Sequence, residues 1–244
     1  MTRLDKLLAE ALGTFALCFI GAGAICMTTK LGAGGPGLLG VAVAHGLILS
    51  IAVSATMNVS GGHLNPAVTT AMLVTGRIRL PEAIAYVGSQ LAGGLAAGLL
   101  VLVVFRGMTT ADGGSVVAAA GLGTPAYDAN AMGMGLAILI EALLTFLLVF
   151  AIFGTAVDPR APKIGGFGIG LAVAADILFG GPLTGAAMNP ARTFGPGLVA
   201  AMSGSLPVFW SQQAVYWIGP ILGAVAGALI YDGVIMPRPA GERR

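Results

Sequence analysis

Long apolar runs divide the chain into six stretches, at about 7–29, 38–58, 82–105, 132–156, 164–181 and 209–231. Each approaches the ~20 residues that cross a hydrocarbon core, and the fifth is the shortest. Two further stretches, at about 66–76 and 190–200, are apolar and begin with proline but are too short to span. Glycine recurs inside the long stretches, as at Gly93, Gly94 and Gly98 and again at Gly219, Gly223 and Gly227. In membrane helices such small residues let backbones pack closely. The pattern predicts an all-α membrane protein with six transmembrane helices plus two re-entrant half-helices.

Composition agrees. Only 9% of the 244 residues are charged and 57% are hydrophobic, against roughly 25% charged in soluble domains. A net charge of +2, with the basic residues near span ends, argues against a nucleic-acid partner and leaves the lipid bilayer as the natural one. Arg3, Lys6, Arg77, Arg79, Arg160, Lys163, Arg238, Arg243 and Arg244 all fall on one side of a six-span topology. Lys30 and Arg106 fall on the other. The positive-inside rule then places both termini in the cytoplasm, for a multi-pass protein of the cell membrane. The segment at about 106–131 is expected to be a long, irregular external loop. Cys18 and Cys26 fit neither a disulfide framework nor zinc-ligand spacing, and His45 and His63 add no metal pattern. No metal and no cofactor are expected.

The sequence repeats. LLAEALGTFALCF in the first span matches ILIEALLTFLLVF in the fourth, HLNPAVT matches AMNPART, and Tyr86 and Gly93 match Tyr216 and Gly223. Each copy holds three spans, an odd number, so the copies face opposite ways. The chain therefore reads as one domain over 1–244 built from an inverted three-span repeat, about 1–105 and about 132–236. In such folds the functional site lies near the midplane between the copies.

Asn65-Pro66-Ala67 and Asn189-Pro190-Ala191 open the two short stretches. Asparagine is a preferred N-cap and proline suits the first helical position, so each motif starts a half-helix inside the membrane. Gly61 and Gly62, and Gly181 and Gly185, precede the motifs and let the chain turn or run extended. Two inverted half-helices present their positive dipole ends at the midplane. With asparagine amides aimed into the lumen, they would orient a water and repel cations. Arg192 follows the second motif, and a guanidinium at membrane depth marks a functional site. Glu10 and Glu141 occupy equivalent places in the repeat and are assigned to hold the re-entrant backbone by accepting its N–H groups. Asp176 has no counterpart carboxylate, Gly46 being set opposite it; a structural bond to a neighbouring helix or loop is favoured over direct solute contact, and its role is left open. Taken alone, His45 in an apolar helix reads as a packed residue.

With these residues in view, the sequence resembles the major intrinsic proteins, the aquaporins, over its full length, through SGGHLNPAVT and TGAAMNPARTFGP. The resemblance implies one pore per protomer in a homotetramer. It implies a selectivity filter at His45, Ile177, Ala186 and Arg192, and a ladder of pore carbonyls from Gly61, Gly62, His63, Leu64, Gly185, Ala186, Ala187 and Met188. His-Ile-Ala-Arg and ADILFGGPLTGAAMNPARTFGPG look like the plant tonoplast intrinsic proteins. Strict water channels generally place an aromatic and a histidine where His45 and Ile177 stand, so a wider filter is expected. Ammonia, hydrogen peroxide and urea are then expected beside water. Thr193 and Gly197, where glycerol facilitators usually carry an aspartate and a basic residue, argue against glycerol.

The resulting expectation is a passive channel for water and small neutral solutes that excludes protons and ions. The alternatives are a channel for water only, a coupled secondary transporter using Glu10, Glu141 or Asp176, and a closed structural membrane protein. No arrangement of nucleophile and base supports an enzyme.

Overall fold

The first helix, α1 (Arg3–Leu31), starts before its apolar run. Thr2 and Asp5 form a capping box there, and Lys6 pairs with Glu82 at 2.8 Å. Local capping and one ion pair thus carry the helix beyond what hydropathy marks. The computed structural model describes residues 2–236, so Arg238, Arg243 and Arg244 lie outside the described residues. The other helices are α2 (Gly37–Ser60), α3 (Pro66–Val74), α4 (Leu80–Phe105), α5 (Val116–Ala120), α6 (Met134–Ile152), α7 (Phe167–Thr184), α8 (Pro190–Met202) and α9 (Phe209–Ile230). Six of them are long and apolar enough to cross a membrane, and no strand occurs among the described residues. The protein is a multi-pass membrane protein with two half-helices, α3 and α8, between its spans.

The two repeats interlock. Within the first, α1 packs on α2 and α4; within the second, α6 packs on α7 and α9. Across them, α2 packs on α7, α3 on α9 and α4 on α8. Each half-helix therefore rests on the third span of one repeat or the other. Glycine makes these approaches possible. A Cβ built on Gly93 would stand 2.2 Å from the Ala11 carbonyl oxygen, and one on Gly223 would stand 2.0 Å from that of Ala142. These are the same contact in the two repeats, α4 on α1 and α9 on α6, with no room for a side chain.

Two expectations need correction. The fifth span runs from Phe167 to Thr184 rather than about 164–181, because Lys163–Gly166 forms a turn and the helix continues through Pro182. The external segment is not irregular throughout. It carries α5 and a 3-10 turn (Gly121–Gly123), with Val116 and Leu122 fully buried. The Tyr127 backbone is clamped by one side chain: its N–H donates to Gln212 Oε1 at 3.1 Å, and its carbonyl accepts from Gln212 Nε2 at 2.7 Å. A Cβ on Gly123 would collide with the Ala22 backbone, and one on Gly185 with Pro125. The loop is thus seated on α1 and on the second re-entrant segment.

Basic residues gather at one end. Arg77 pairs with Asp232 at 2.6 Å and lies over the Phe153 ring. Arg160 pairs with Asp158 at 2.6 Å and reaches the Ile235 carbonyl. With Lys6 on Glu82, these contacts join the starts of α1 and α4 to the ends of α6 and α9.

Candidate functional site

Each half-helix begins at its asparagine, and the side chain does two things at once. Asn65 Oδ1 accepts from the Ala67 N–H at 2.8 Å, and Asn189 Oδ1 accepts from Ala191 and Arg192 N–H at 2.9 and 3.3 Å. These are N-cap bonds to helices with proline in the first turn. The amide nitrogens cross between repeats. Asn65 Nδ2 donates to the Met188 carbonyl at 2.8 Å, and Asn189 Nδ2 donates to the Leu64 carbonyl at 2.9 Å. One Nδ2 hydrogen of each is used in this way, and the second remains on the wall of the central cavity.

The chain leading into each motif alternates into left-handed backbone. Gly61, Gly62 and Leu64 have φ of 92°, 62° and 51°, and Gly185, Ala186 and Met188 have 78°, 43° and 52°. For Leu64, Ala186 and Met188 this costs about 1 kcal/mol each, so something must hold them. The carboxylates do. Glu10 accepts from Ser60 Oγ (2.6 Å), His63 N–H (2.9 Å), Leu64 N–H (2.7 Å) and Gln90 Nε2 (2.7 Å). Glu141 accepts from Thr184 Oγ1 (2.6 Å), Ala187 N–H (2.9 Å) and Met188 N–H (2.8 Å). Leu64 and Met188 are therefore gripped at both ends, N–H by a carboxylate and carbonyl by the opposite asparagine. Tyr86 and Tyr216 complete the frame, donating to the carbonyls of Ser60 and Thr184 at 2.9 and 2.8 Å. Gly181 has no such role. It lies inside α7, and the left-handed turns fall at Gly185, Ala186 and Met188 instead.

Sequence reasoning missed Ser60, Thr184 and Gln90. The first two stand five residues before their asparagines, a match visible in the repeat but easily taken for ordinary span-end polarity. Gln90 has no twin, because the second repeat carries Pro220 there.

One cavity of about 240 Å³ runs past all of this, with room for on the order of eight waters at ~30 Å³ each. Asn65 and Asn189 line it, with Gly61, Gly62, His63 and Leu64 on one side and Ala186, Ala187 and Met188 on the other. Gly185, Pro66, Ala67, Pro190 and Ala191 do not; they shape the loops and helix starts behind the wall. Among the described residues, no donor reaches the carbonyls of Gly61, Gly62, His63, Ala186 or Ala187. Apart from His45 and Arg192, the remaining wall is apolar, including Leu49, Val53, Leu148 and Val173. A file of small polar molecules finds acceptors along one stripe and little elsewhere to hold it.

His45, Ile177, Ala186 and Arg192 line the same cavity. His45 Nδ1 lies 2.8 Å from the Val41 carbonyl. A carbonyl only accepts, so Nδ1 carries the proton and Nε2 presents a lone pair. Arg192 donates to that lone pair through Nε and Nη2, at 3.1 and 2.8 Å. The imidazole is thus neutral, and its orientation is fixed on both sides. Arg192 is 5% exposed, and its Nη1 has no partner among the described residues.

Asp176 departs from expectation. It is 5% exposed, and its Oδ2 is buried with no hydrogen-bond partner among the described residues. The bond to a neighbouring helix or loop is not present. The register fixed by Ser60 and Thr184 also sets it opposite Ala52, not Gly46. No cluster of three or more potential metal ligands occurs among the described residues.

Known proteins resemble this chain in sequence and in fold. The chain is similar to Aquaporin TIP4-4 of Zea mays, 43% identical over 242 residues, covering 96% of this chain and 88% of that protein. It is similar to Probable aquaporin TIP3-2 of Arabidopsis thaliana, 42% identical over 242 residues, covering 94% and 83%. Its fold matches the X-ray structure of the aquaglyceroporin from Plasmodium falciparum with a TM-score of 0.83 at 22% identity, over 96% of this chain and 97% of that one. The Major intrinsic protein family profile matches residues 1–231, and the chain belongs to the major intrinsic protein family.

Proposed function

We propose that His45, Ile177, Ala186 and Arg192 form the selectivity filter of a passive channel that conducts water together with ammonia, hydrogen peroxide and urea. Membership of the family makes the chain a passive water channel and not an enzyme. The single observation that carries the filter reading is the Arg192 guanidinium, with a buried Nη1 that has no hydrogen-bond partner among the described residues, lining a cavity beside the small Ala186 and the aliphatic Ile177. A guanidinium there offers donors to a solute oxygen, and its charge repels cations and hydronium. The free carbonyls of the two re-entrant segments then serve as acceptors in sequence, and the paired half-helix N-termini form a second positive barrier. Glu10 and Glu141 act as braces of these segments, not as proton carriers.

The protein is proposed to sit in the cell membrane as a homotetramer with both termini cytoplasmic. The clustering of Lys6, Arg77 and Arg160 at one end supports that orientation.

Stopped-flow light scattering on proteoliposomes tests the filter, comparing water, ammonia, urea and glycerol with empty vesicles. Fast water flux with measurable ammonia and urea flux is expected. Arg192→Val should raise urea flux relative to water, and His45→Phe should lower it. Ratios unchanged in both variants would remove these residues from the filter. Water flux alone in the parent protein would instead make it a water-only channel.

A further inference from the structure

We propose that Gly21 of α1 is a positioning residue of the filter, leaving the space from which His45 presents Nε2 to Arg192. The inference rests on the filter reading above but on a separate contact. A Cβ built on Gly21 would stand 2.3 Å from His45 Nε2, 2.6 Å from Cδ2 and 2.9 Å from Cε1. All three atoms lie on the ring edge that faces Arg192, and Nε2 is the acceptor of both guanidinium bonds. The ring cannot turn away freely, because Nδ1 is tied to Val41 of its own helix. Nor is there slack around it, since His45 is 0% exposed.

Gly21 itself has negative φ within a regular helix. No backbone requirement therefore selects glycine here, and space is the remaining reason. Gly23, two residues on, has nothing within 4 Å of its Cβ position. The same helix thus supplies a control in which the glycine is spatially idle. A methyl group at Gly21 pushes the imidazole toward the lumen, narrows the passage and strips Arg192 of its acceptor. Filter width is then set from α1, an element that supplies none of the four filter residues.

The test pairs flux with a direct readout of the ring. ¹⁵N-histidine-labelled protein in nanodiscs contains only His45 and His63, and His45→Ala assigns the His45 signals. Gly21→Ala should move the His45 Nε2 resonance and lower the urea-to-water permeability ratio about tenfold, the scale of one methyl group in a fitted site. Gly23→Ala should do neither. In the His45→Ala background, Gly21→Ala should add nothing. An unmoved His45 resonance, or an equal flux change in that background, overturns the proposal. A moved resonance with flux ratios insensitive even to His45→Ala overturns the filter reading instead. Should Gly21→Ala fail to fold, Gly21→Ala with His45→Ala should fold as well as His45→Ala alone, because the ring that collides is gone. A double variant that still fails would assign Gly21 to helix packing and overturn the proposal.

Discussion

Arg192 spends two of its donors, Nε and Nη2, on a single acceptor, the Nε2 of His45, 147 residues away in sequence. The planar fork aims the guanidinium and leaves Nη1 pointing free of it. A lysine keeps the charge but not the fork. Arg192→Lys is expected to lower stability by about 1.5–3 kcal/mol, the worth of a hydrogen bond to a charged group. Thermal unfolding in detergent checks this, and an unchanged midpoint would mean that the fork contributes little.

Glu10 gathers four donors and Glu141 three. A glutamine in either place substitutes an amide NH₂ for one acceptor oxygen and sets it against existing donors. Each buried donor left unpaired costs about 1–3 kcal/mol. Glu10→Gln is expected to be the more damaging, since Leu64 N–H and Gln90 Nε2 share one oxygen. Comparing the folded yield of the two variants in one detergent decides the order.

Gly223→Ala is expected to force α9 away from α6, because the colliding atoms belong to the Ala142 backbone. Overpacking of this kind costs about 1–3 kcal/mol. Gly88→Ala, with nothing within 4 Å, should not lower the unfolding midpoint in the same assay.

The Arg160 guanidinium and backbone N–H hold the Asp158 carboxyl down, from an ordinary 3.8 to about 2. A depressed carboxyl pKa contributes stability that is present above the unfolded value and lost as pH falls through the folded one. The turn after α6 should therefore keep its shape across pH 5–8 and loosen only between about pH 4 and 2. Asp158→Asn should loosen it at every pH. Hydrogen exchange over residues 153–166 reads both, and a transition near neutrality in the parent protein would contradict the assignment.

Much of this arrangement was legible in the chain. Spans follow from hydropathy, the half-helices from Asn-Pro-Ala, and the carboxylate braces from the matching places of Glu10 and Glu141 in the repeat. What escaped was pairing across distance. Hydropathy does not mark Ser60, Thr184 or Gln90, because one hydroxyl or amide at a span end looks like any other. His45 alone reads as packing, and only folding brings it to Arg192. The outer loop looked irregular because its order comes from tertiary contacts with Ala22, Gln212 and Gly185. Asp176 has no account in its surroundings.

The crossed asparagines also fix an order of events at the ribosome. Glu10 finds all its partners by Gln90, inside the first repeat. The acceptor for Asn65, the Met188 carbonyl, is translated 123 residues after it, a wait of ~6–25 s at ordinary elongation rates. The first re-entrant segment can thus be shaped early, yet its asparagine has no native acceptor until the second motif is made. The conduction path closes only near the end of synthesis, so a chain stalled midway would carry a formed half-helix but no pore.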